Sequence, residues 1–250
     1  MRVVICGGGV IGACTAWFLS RRQVEVVVVE RTGIACAASG KSGGFLALDW
    51  CDGTPLAPLA RRSFSLHAEL AEFDDKWDYR RLDTLGIVAS ARRRLRSSGG
   101  LPDWVARDAL LQQQLGTTET TAQVHPEKFT RGVMDAAIAQ GARVQMGEVT
   151  GLVRNAERVT GVLVEGAPIP ADAVVVAIGP WSLLACQWLP LPMIHGLKGH
   201  SVVLRTGSTV SPHALFVEYE AEDGAVHAPE VFPRPDGSTY VCGLSSEAPL

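Results

Sequence analysis

Three glycines near the start of the chain have the spacing that a dinucleotide-binding turn requires. Gly7, Gly9 and Gly12 occupy the first, third and sixth positions of a Gly-x-Gly-x-x-Gly pattern, between an apolar run and a helical pattern. The first glycine allows a tight turn, the second lets the backbone approach a pyrophosphate, and the third lets the helix lie close to the strand. The pattern therefore predicts a helix N-terminus that faces a bound anion.

An acidic residue, Glu30, ends the next apolar run, 18 residues after Gly12. Its carboxylate can accept hydrogen bonds from both ribose hydroxyls, and it would repel a 2′-phosphate. Arg31 could pair a 2′-phosphate, but the neighbouring Glu30 argues against it. The first thirty residues thus predict a dinucleotide with an unphosphorylated ribose, and by themselves they leave NAD and FAD open.

Hydrophobic patterning predicts the strands that must position these residues. Residues 3–6 and 24–29 are β-branched runs typical of buried parallel strands, with a helix between them. Valine-rich or alternating runs predict a mixed parallel sheet with a meander, followed by antiparallel strands. These runs are residues 81–91, 143–146, 149–154, 158–164, 173–178, 200–205, 214–219, 230–233 and 239–243.

Two further helices are predicted. Apolar residues spaced by three and four from Thr54 to Trp77 predict an amphipathic helix, with Thr54 as its N-cap and Pro55 in its first turn. Residues 126–140 predict another, which begins at a proline and ends before Gly141.

Composition and charge exclude several classes of protein. The 250 residues are 47% hydrophobic and carry a net charge of −3, which predicts a folded protein without a basic surface for nucleic acid. The six cysteines and six histidines have no metal-ligand spacing, so we expect no metal site and a reducing compartment. The cytoplasm is favoured, with an organelle left open. Residues 3–19 are too short and too rich in glycine for a membrane span and do not indicate a targeting segment.

Several segments resemble the FAD-dependent glycine/D-amino acid oxidase (DAO) family. Residues 3–30 resemble its opening, and residues 36–47 resemble its Ser/Gly-rich loop, which lies over the pyrophosphate and reaches the flavin ring. With residues 48–50 and 59–63, that loop is most similar to a little-characterised group of plant and fungal oxidoreductases in this family. Residues 147–149 resemble the segment that meets the adenine, and residues 174–182 the strand and turn that close over the dinucleotide. The resemblance implies FAD as cofactor.

The resemblance also implies which residues bind the FAD. They are Gly7, Gly8, Gly9, Val10, Ile11, Gly12, Glu30, Arg31, Ser39, Gly40, Lys41, Ser42, Gly43, Gly44, Phe45, Leu46, Val149, Ala177, Gly179 and Trp181.

The implied fold is α/β, with an FAD-binding Rossmann-like parallel sheet and β-meander, plus an antiparallel-sheet (α+β) substrate domain. We expect residues 1–53 and 125–190 in the first domain, and residues 54–124 and 191–250 in the second. Family members continue with a segment that completes the flavin site. We therefore expect a C-terminally truncated chain that binds FAD weakly and has impaired turnover.

The implied activity is oxidation of a small amine or amino acid by hydride transfer to flavin N5. Arg234 could pair a substrate carboxylate, Tyr240 could line the pocket, and His200 could lie near the ring, although family members commonly have glutamine at the His200 position. The electron acceptor, oxygen or a quinone, stays open, as does covalent attachment of the flavin. An NAD-dependent dehydrogenase and a non-catalytic nucleotide-binding or trafficking-associated protein are the alternative functions.

Overall fold

The computed structural model describes residues 1–73, 75–95, 99–156, 158–194 and 196–247. The chain forms two compact units. The first comprises residues 1–42 and 126–196, and the second residues 43–125 and 197–248.

The elements are numbered in chain order. The helices are α1 (Val10–Ser20), α2 (Ala38–Lys41), α3 (Ala57–Ala71) and α4 (Pro126–Ala139), with 3-10 helices at Asp75–Trp77, Gly179–Gln187 and Gly207–Thr209. The strands are β1 (Arg2–Cys6), β2 (Glu25–Glu30), β3 (Phe45–Ala47), β4 (Arg80–Arg81), β5 (Asp83–Ser90), β6 (Leu110–Gly116), β7 (Thr121–Gln123), β8 (Arg143–Met146), β9 (Val149–Asn155), β10 (Arg158–Val164), β11 (Ala167–Pro170), β12 (Ala173–Val176), β13 (Lys198–Arg205), β14 (His213–Glu220), β15 (Val226–His227), β16 (Glu230–Pro233) and β17 (Ser238–Ser246).

The first unit contains a parallel sheet in the order β12-β1-β2-β8. Val4, Ile5 and Val28 are fully buried, as expected for β-branched strands that are covered on both faces. Helix α1 connects β1 to its parallel neighbour β2, since parallel strands need a crossover, and it packs against α4. The meander β11-β10-β9 completes this unit. All four parallel strands therefore end at the same edge of the sheet.

The second unit is built on a larger sheet in the order β13-β17-β16-β14-β5-β6, with β15 beside β14. A smaller sheet has the order β3-β7-β4. The pairs of the larger sheet are antiparallel except one, because β14 runs parallel to β5. The four strands predicted to be antiparallel, β13, β14, β16 and β17, pair with one another in that way. Strands β5 and β14 are far apart in the chain, so no hairpin dictates their relative direction.

The predicted start of the second helix is wrong. Helix α3 begins at Ala57 with Leu56 as its N-cap and Pro58 in its first turn. Thr54 instead closes the preceding turn, where its Oγ1 accepts the Leu56 N–H at 3.2 Å. The helix ends at Ala71, and Trp77 lies buried in a separate 3-10 helix. The apolar spacing thus continues beyond the helix because a residue outside it also enters the core.

Some strands have no counterpart in the sequence-based prediction, namely β3, β6, β7, β11 and β15. Strand β6 contains three consecutive glutamines and lies at an edge of the larger sheet, so its apolar alternation is weak. Helix α4 and strands β8 to β10 agree with their predicted ranges to within one residue. Of the helices in the described ranges, none is long and apolar enough to cross a membrane.

Candidate dinucleotide site

A cavity of about 330 Å³ lies in the first unit, at the carboxyl edge of the parallel sheet. Residues that follow each of the four strands line it: Gly7 after β1, Arg31 after β2, Gly147 after β8 and Ala177 after β12. Open α/β sheets bind their ligands at this edge. The volume is in the range of small-ligand pockets.

The turn between β1 and α1 requires glycine at two positions. Gly7 has φ +108°, and a Cβ there would lie 2.3 Å from the carbonyl oxygen of Ala177. A Cβ on Gly12 would lie 2.0 Å from the carbonyl oxygen of Gly7. Both distances are far below van der Waals contact. A side chain at Gly12 would push α1 away from the turn, and a side chain at Gly7 would push the turn away from the residue that follows β12.

The N-terminus of α1 is capped by a residue that is distant in sequence. Gly9, the N-cap residue, has no side chain, and the Val10 N–H donates to Ser39 Oγ at 2.9 Å. A hydroxyl that accepts one hydrogen bond can still donate its own proton. Ser39 lines the cavity, so its O–H group and the positive end of the α1 dipole provide an environment suited to an anion.

Loss of this hydroxyl is expected to destabilise the first unit. Ser39→Ala leaves the Val10 N–H without its side-chain acceptor, which costs about 1 kcal/mol at a helix N-terminus. Urea denaturation followed by circular dichroism measures the change. Ser65→Ala, which removes an exposed hydroxyl bonded only to its own helix at Arg61, serves as the matched control. Equal stability of the two variants would contradict the capping role.

Glu30 organises the loops on both sides of it. One carboxylate oxygen, Oε2, accepts the Gly8 N–H at 2.7 Å, and the other, Oε1, accepts the N–H groups of Thr32 at 2.7 Å and Gly33 at 3.2 Å. The carboxylate thus connects the glycine turn to the turn after β2. Three of the roughly four lone-pair sites of the carboxylate are therefore used, and the remaining one, on Oε2, can accept a ligand hydroxyl.

Three side chains form a group at the cavity wall, which we call the Arg31 group: Arg31, Glu148 and Trp181. The Arg31 guanidinium carbon lies 5.0 Å from the centre of the Trp181 ring. Its Nη1 lies 3.4 Å from Glu148 Oε1. All three residues line the cavity. The positive charge of Arg31 is therefore already balanced by a carboxylate and supported by an aromatic face.

The structure brings about half of the predicted cofactor residues together at this cavity. Those that line it are Gly7, Gly8, Gly9, Glu30, Arg31, Ser39, Val149, Ala177, Gly179 and Trp181. Val10, Ile11 and Gly12 form the first turn of α1, next to Gly9. Gly40 and Lys41 lie in α2, and Ser42 follows that helix.

The other four predicted cofactor residues, Gly43, Gly44, Phe45 and Leu46, belong to the second unit. Phe45 stacks on Phe232, with ring centres 5.5 Å apart. A Cβ on Gly43 would lie 2.5 Å from the same Phe232 ring. This segment therefore packs into an aromatic cluster of its own unit.

The sequence prediction missed several lining residues, among them Thr32, Gly33, Glu148, Leu184 and Trp188. Glu148 stands inside the segment 147–149 that was already singled out, so a complete listing of that segment would have included it. Leu184 lies in a 3-10 helix, and Trp188 directly follows it. No local pattern shows that this helix turns back towards the sheet edge.

The three candidate catalytic residues lie in the second unit, and two of them are in contact. The Arg234 guanidinium carbon lies 5.1 Å from the centre of the Tyr240 ring, and both residues are buried. Burial raises the pKa of Tyr240, so its phenol keeps its proton at neutral pH. His200 is exposed on β13, where its Nε2 lies 3.1 Å from Ser246 Oγ.

Cysteine chemistry is suppressed around the parallel sheet. All six cysteines are free thiols, and burial raises the pKa of Cys6 to about 12 and that of Cys14 to about 11. Neither thiol forms a thiolate near neutral pH. Within the described ranges, no cluster of three or more His, Cys, Asp or Glu residues could hold a metal ion.

Comparison with known proteins identifies relatives along the whole chain. The family described as FAD dependent oxidoreductase, DAO, matches residues 2–249. A "putative oxidoreductase" of Schizosaccharomyces pombe is 32% identical over 99% of this chain and 71% of its own length. A glycine oxidase of Pseudomonas putida is 27% identical over 87% of this chain and 66% of its own length.

A solved structure establishes the fold. The structure of glycine oxidase from Bacillus cereus matches with a TM-score of 0.81 and 22% identity, covering 98% of this chain and 72% of that chain. The predicted α/β fold, with a parallel Rossmann-like sheet, a β-meander and a second sheet of mainly antiparallel strands, is confirmed.

Proposed function

We propose that this chain, which belongs to the DAO family of FAD-dependent oxidoreductases, oxidises a small amine or amino acid. The glycine oxidase of Pseudomonas putida, similar over 87% of the chain, supports this substrate class. The cavity at the carboxyl edge of the parallel sheet carries the proposal, because its polar groups match the parts of a dinucleotide.

The residues present fit the adenosine and pyrophosphate parts of FAD. Gly7, Gly8 and Gly9 line the cavity and have no side chains, so backbone N–H groups can approach a phosphate closely. The Ser39 hydroxyl, which accepts the Val10 N–H, and the N-terminus of α1 would hold the pyrophosphate by hydrogen bonds. Glu30 Oε2 would accept a hydrogen bond from a ribose hydroxyl. We therefore assign cofactor binding to the first unit and substrate binding to the second; residues 43–53, which were expected in the cofactor domain, belong to the second unit.

The bound flavin supplies the acceptor of the electron pair that leaves the substrate C–H bond. The residues of the chain must hold the substrate in the orientation that allows the reaction. Arg234 is the candidate cation for a substrate carboxylate, and neutral Tyr240 is a candidate hydrogen-bond donor. His200 is the third candidate, on the exposed strand β13.

Titration of the purified chain with FAD, followed by anaerobic addition of amines and amino acids, tests this function. We expect a flavin spectrum at saturating FAD and bleaching of its visible band by at least one substrate of this class. Reoxidation by oxygen or by a quinone analogue then identifies the acceptor. The titration also measures whether this chain binds FAD weakly, as the sequence-based expectation states.

Three outcomes would contradict the proposal in different ways. Binding of FAD without bleaching by any amine or amino acid would contradict the substrate class. A change in nicotinamide fluorescence on binding NADH, without flavin binding, would favour an NAD-dependent dehydrogenase. Binding of adenine nucleotides without turnover would favour a non-catalytic nucleotide-binding protein.

The six free cysteines favour a reducing compartment such as the cytoplasm.

A further inference from the structure

The Arg31 group lies beside the residue that we assign to the ribose. Arg31 follows Glu30 directly and lines the same cavity. An arginine at this place can accommodate a 2′-phosphate in related dinucleotide sites. A guanidinium matches a phosphate well, because its N–H groups form two parallel hydrogen bonds. The cavity therefore contains both a group that rejects a 2′-phosphate and a group that could accept one.

Glu148 resolves this conflict. Its Oε1 lies 3.4 Å from Arg31 Nη1, while the Trp181 ring lies beneath the guanidinium. A phosphate that paired with Arg31 would have to compete with this carboxylate and would also experience its repulsion. Glu30 and Glu148 together outweigh the single charge of Arg31, so the local balance is negative.

We propose that Glu148 determines specificity, because it occupies Arg31 and so restricts the cavity to dinucleotides whose adenosine ribose is unphosphorylated. This inference rests on the proposed dinucleotide function of the cavity. It assigns a role to a residue that the Gly-x-Gly-x-x-Gly pattern and Glu30 do not include. Specificity then comes from two carboxylates. Glu30 binds the ribose, and Glu148 pairs with Arg31, which would otherwise attract a phosphate.

The expected effect is moderate because the ion pair is accessible to solvent. The side chains of Arg31 and Glu148 are 44% and 50% exposed, and exposed pairs contribute little and are screened by salt. The new contact between a released guanidinium and a doubly charged phosphate is stronger than the pair that it replaces. We therefore expect a change in preference of about fivefold at low salt, decreasing at high salt.

Two probes that differ only in the 2′-phosphate test the inference, ADP-ribose and 2′-phospho-ADP-ribose. Isothermal titration calorimetry measures their affinities for the full 250-residue chain and for the Glu148→Gln variant. We expect the variant to bind 2′-phospho-ADP-ribose about fivefold more tightly relative to ADP-ribose. The double variant Glu148→Gln with Arg31→Gln is expected to lose this gain. Asp135→Asn, an exposed change on α4 that removes the same charge away from the cavity lining, is the matched control.

The outcomes separate this inference from the proposed function. Failure of the wild-type chain to bind ADP-ribose would contradict the dinucleotide site itself. Binding of ADP-ribose with an unchanged preference in Glu148→Gln would overturn only the role of Glu148. A gain that persists in the double variant, or that occurs equally in Asp135→Asn, would show a general charge effect and would also overturn it. Thermal unfolding confirms that each variant is folded.

Discussion

Gly12→Ala is expected to abolish stoichiometric FAD binding and to lower the free energy of unfolding by about 3 kcal/mol. The new Cβ would lie 2.0 Å from the carbonyl oxygen of Gly7 and 3.1 Å from its carbonyl carbon. These are backbone atoms of the cofactor turn and cannot rotate away as a side-chain end can. Helix α1 must therefore move, and the N–H groups at its N-terminus lose their alignment with the pyrophosphate.

Flavin content after reconstitution and thermal unfolding measure the two effects. Gly199→Ala is the matched control, because the same methyl group at that position would meet no atom within 4 Å. A folded Gly12→Ala protein with wild-type flavin content would contradict the need for this close approach. The effect on stability follows from the distances alone, whereas the effect on binding also tests the proposed site.

Glu30→Ala is expected to weaken FAD binding about tenfold, since one hydrogen bond from a ribose hydroxyl to the charged carboxylate contributes about 1.5 kcal/mol. It also removes the acceptor of three backbone N–H groups, those of Gly8, Thr32 and Gly33. Gly8 is buried, so its unpaired N–H costs about 2 kcal/mol in the apoprotein. Glu30→Gln keeps one acceptor oxygen, and we expect its stability and affinity to lie between those of the wild type and Glu30→Ala.

Fluorescence titration with FAD and urea denaturation of the apoprotein measure these two consequences separately. Glu222→Ala, which removes an exposed carboxylate in a turn of the second unit, controls for the change in net charge. Reduced stability with unchanged FAD affinity would show that Glu30 only organises the loops. Unchanged stability would contradict the geometry of its three hydrogen bonds.

The residue pattern by itself predicted the β1-α1-β2 unit and the glycines and the carboxylate that we propose to position the dinucleotide. Gly7, Gly12 and Glu30 are predictable because each role depends on a local backbone requirement, and strand, turn and helix are consecutive in the chain. The resemblance of later segments then implied FAD, and the family match confirms it. The helix start predicted at Thr54 was wrong, because the apolar spacing begins before the helix and continues after its last residue.

Only the tertiary structure decided which distant residues complete the cavity. Ser39 lies 29 residues from Val10, whose N–H it accepts, and Glu148 lies 117 residues from Arg31. Both pairs meet because parallel strands β1, β2 and β8 end at one edge of the sheet, and a crossover can bring any segment there. Hydrophobic periodicity specifies which face of an element is buried, but it carries no information on strand order. The glycine turn could therefore be predicted from thirty residues. Ser39, which caps α1, and Glu148, which pairs with Arg31, could not be predicted from them.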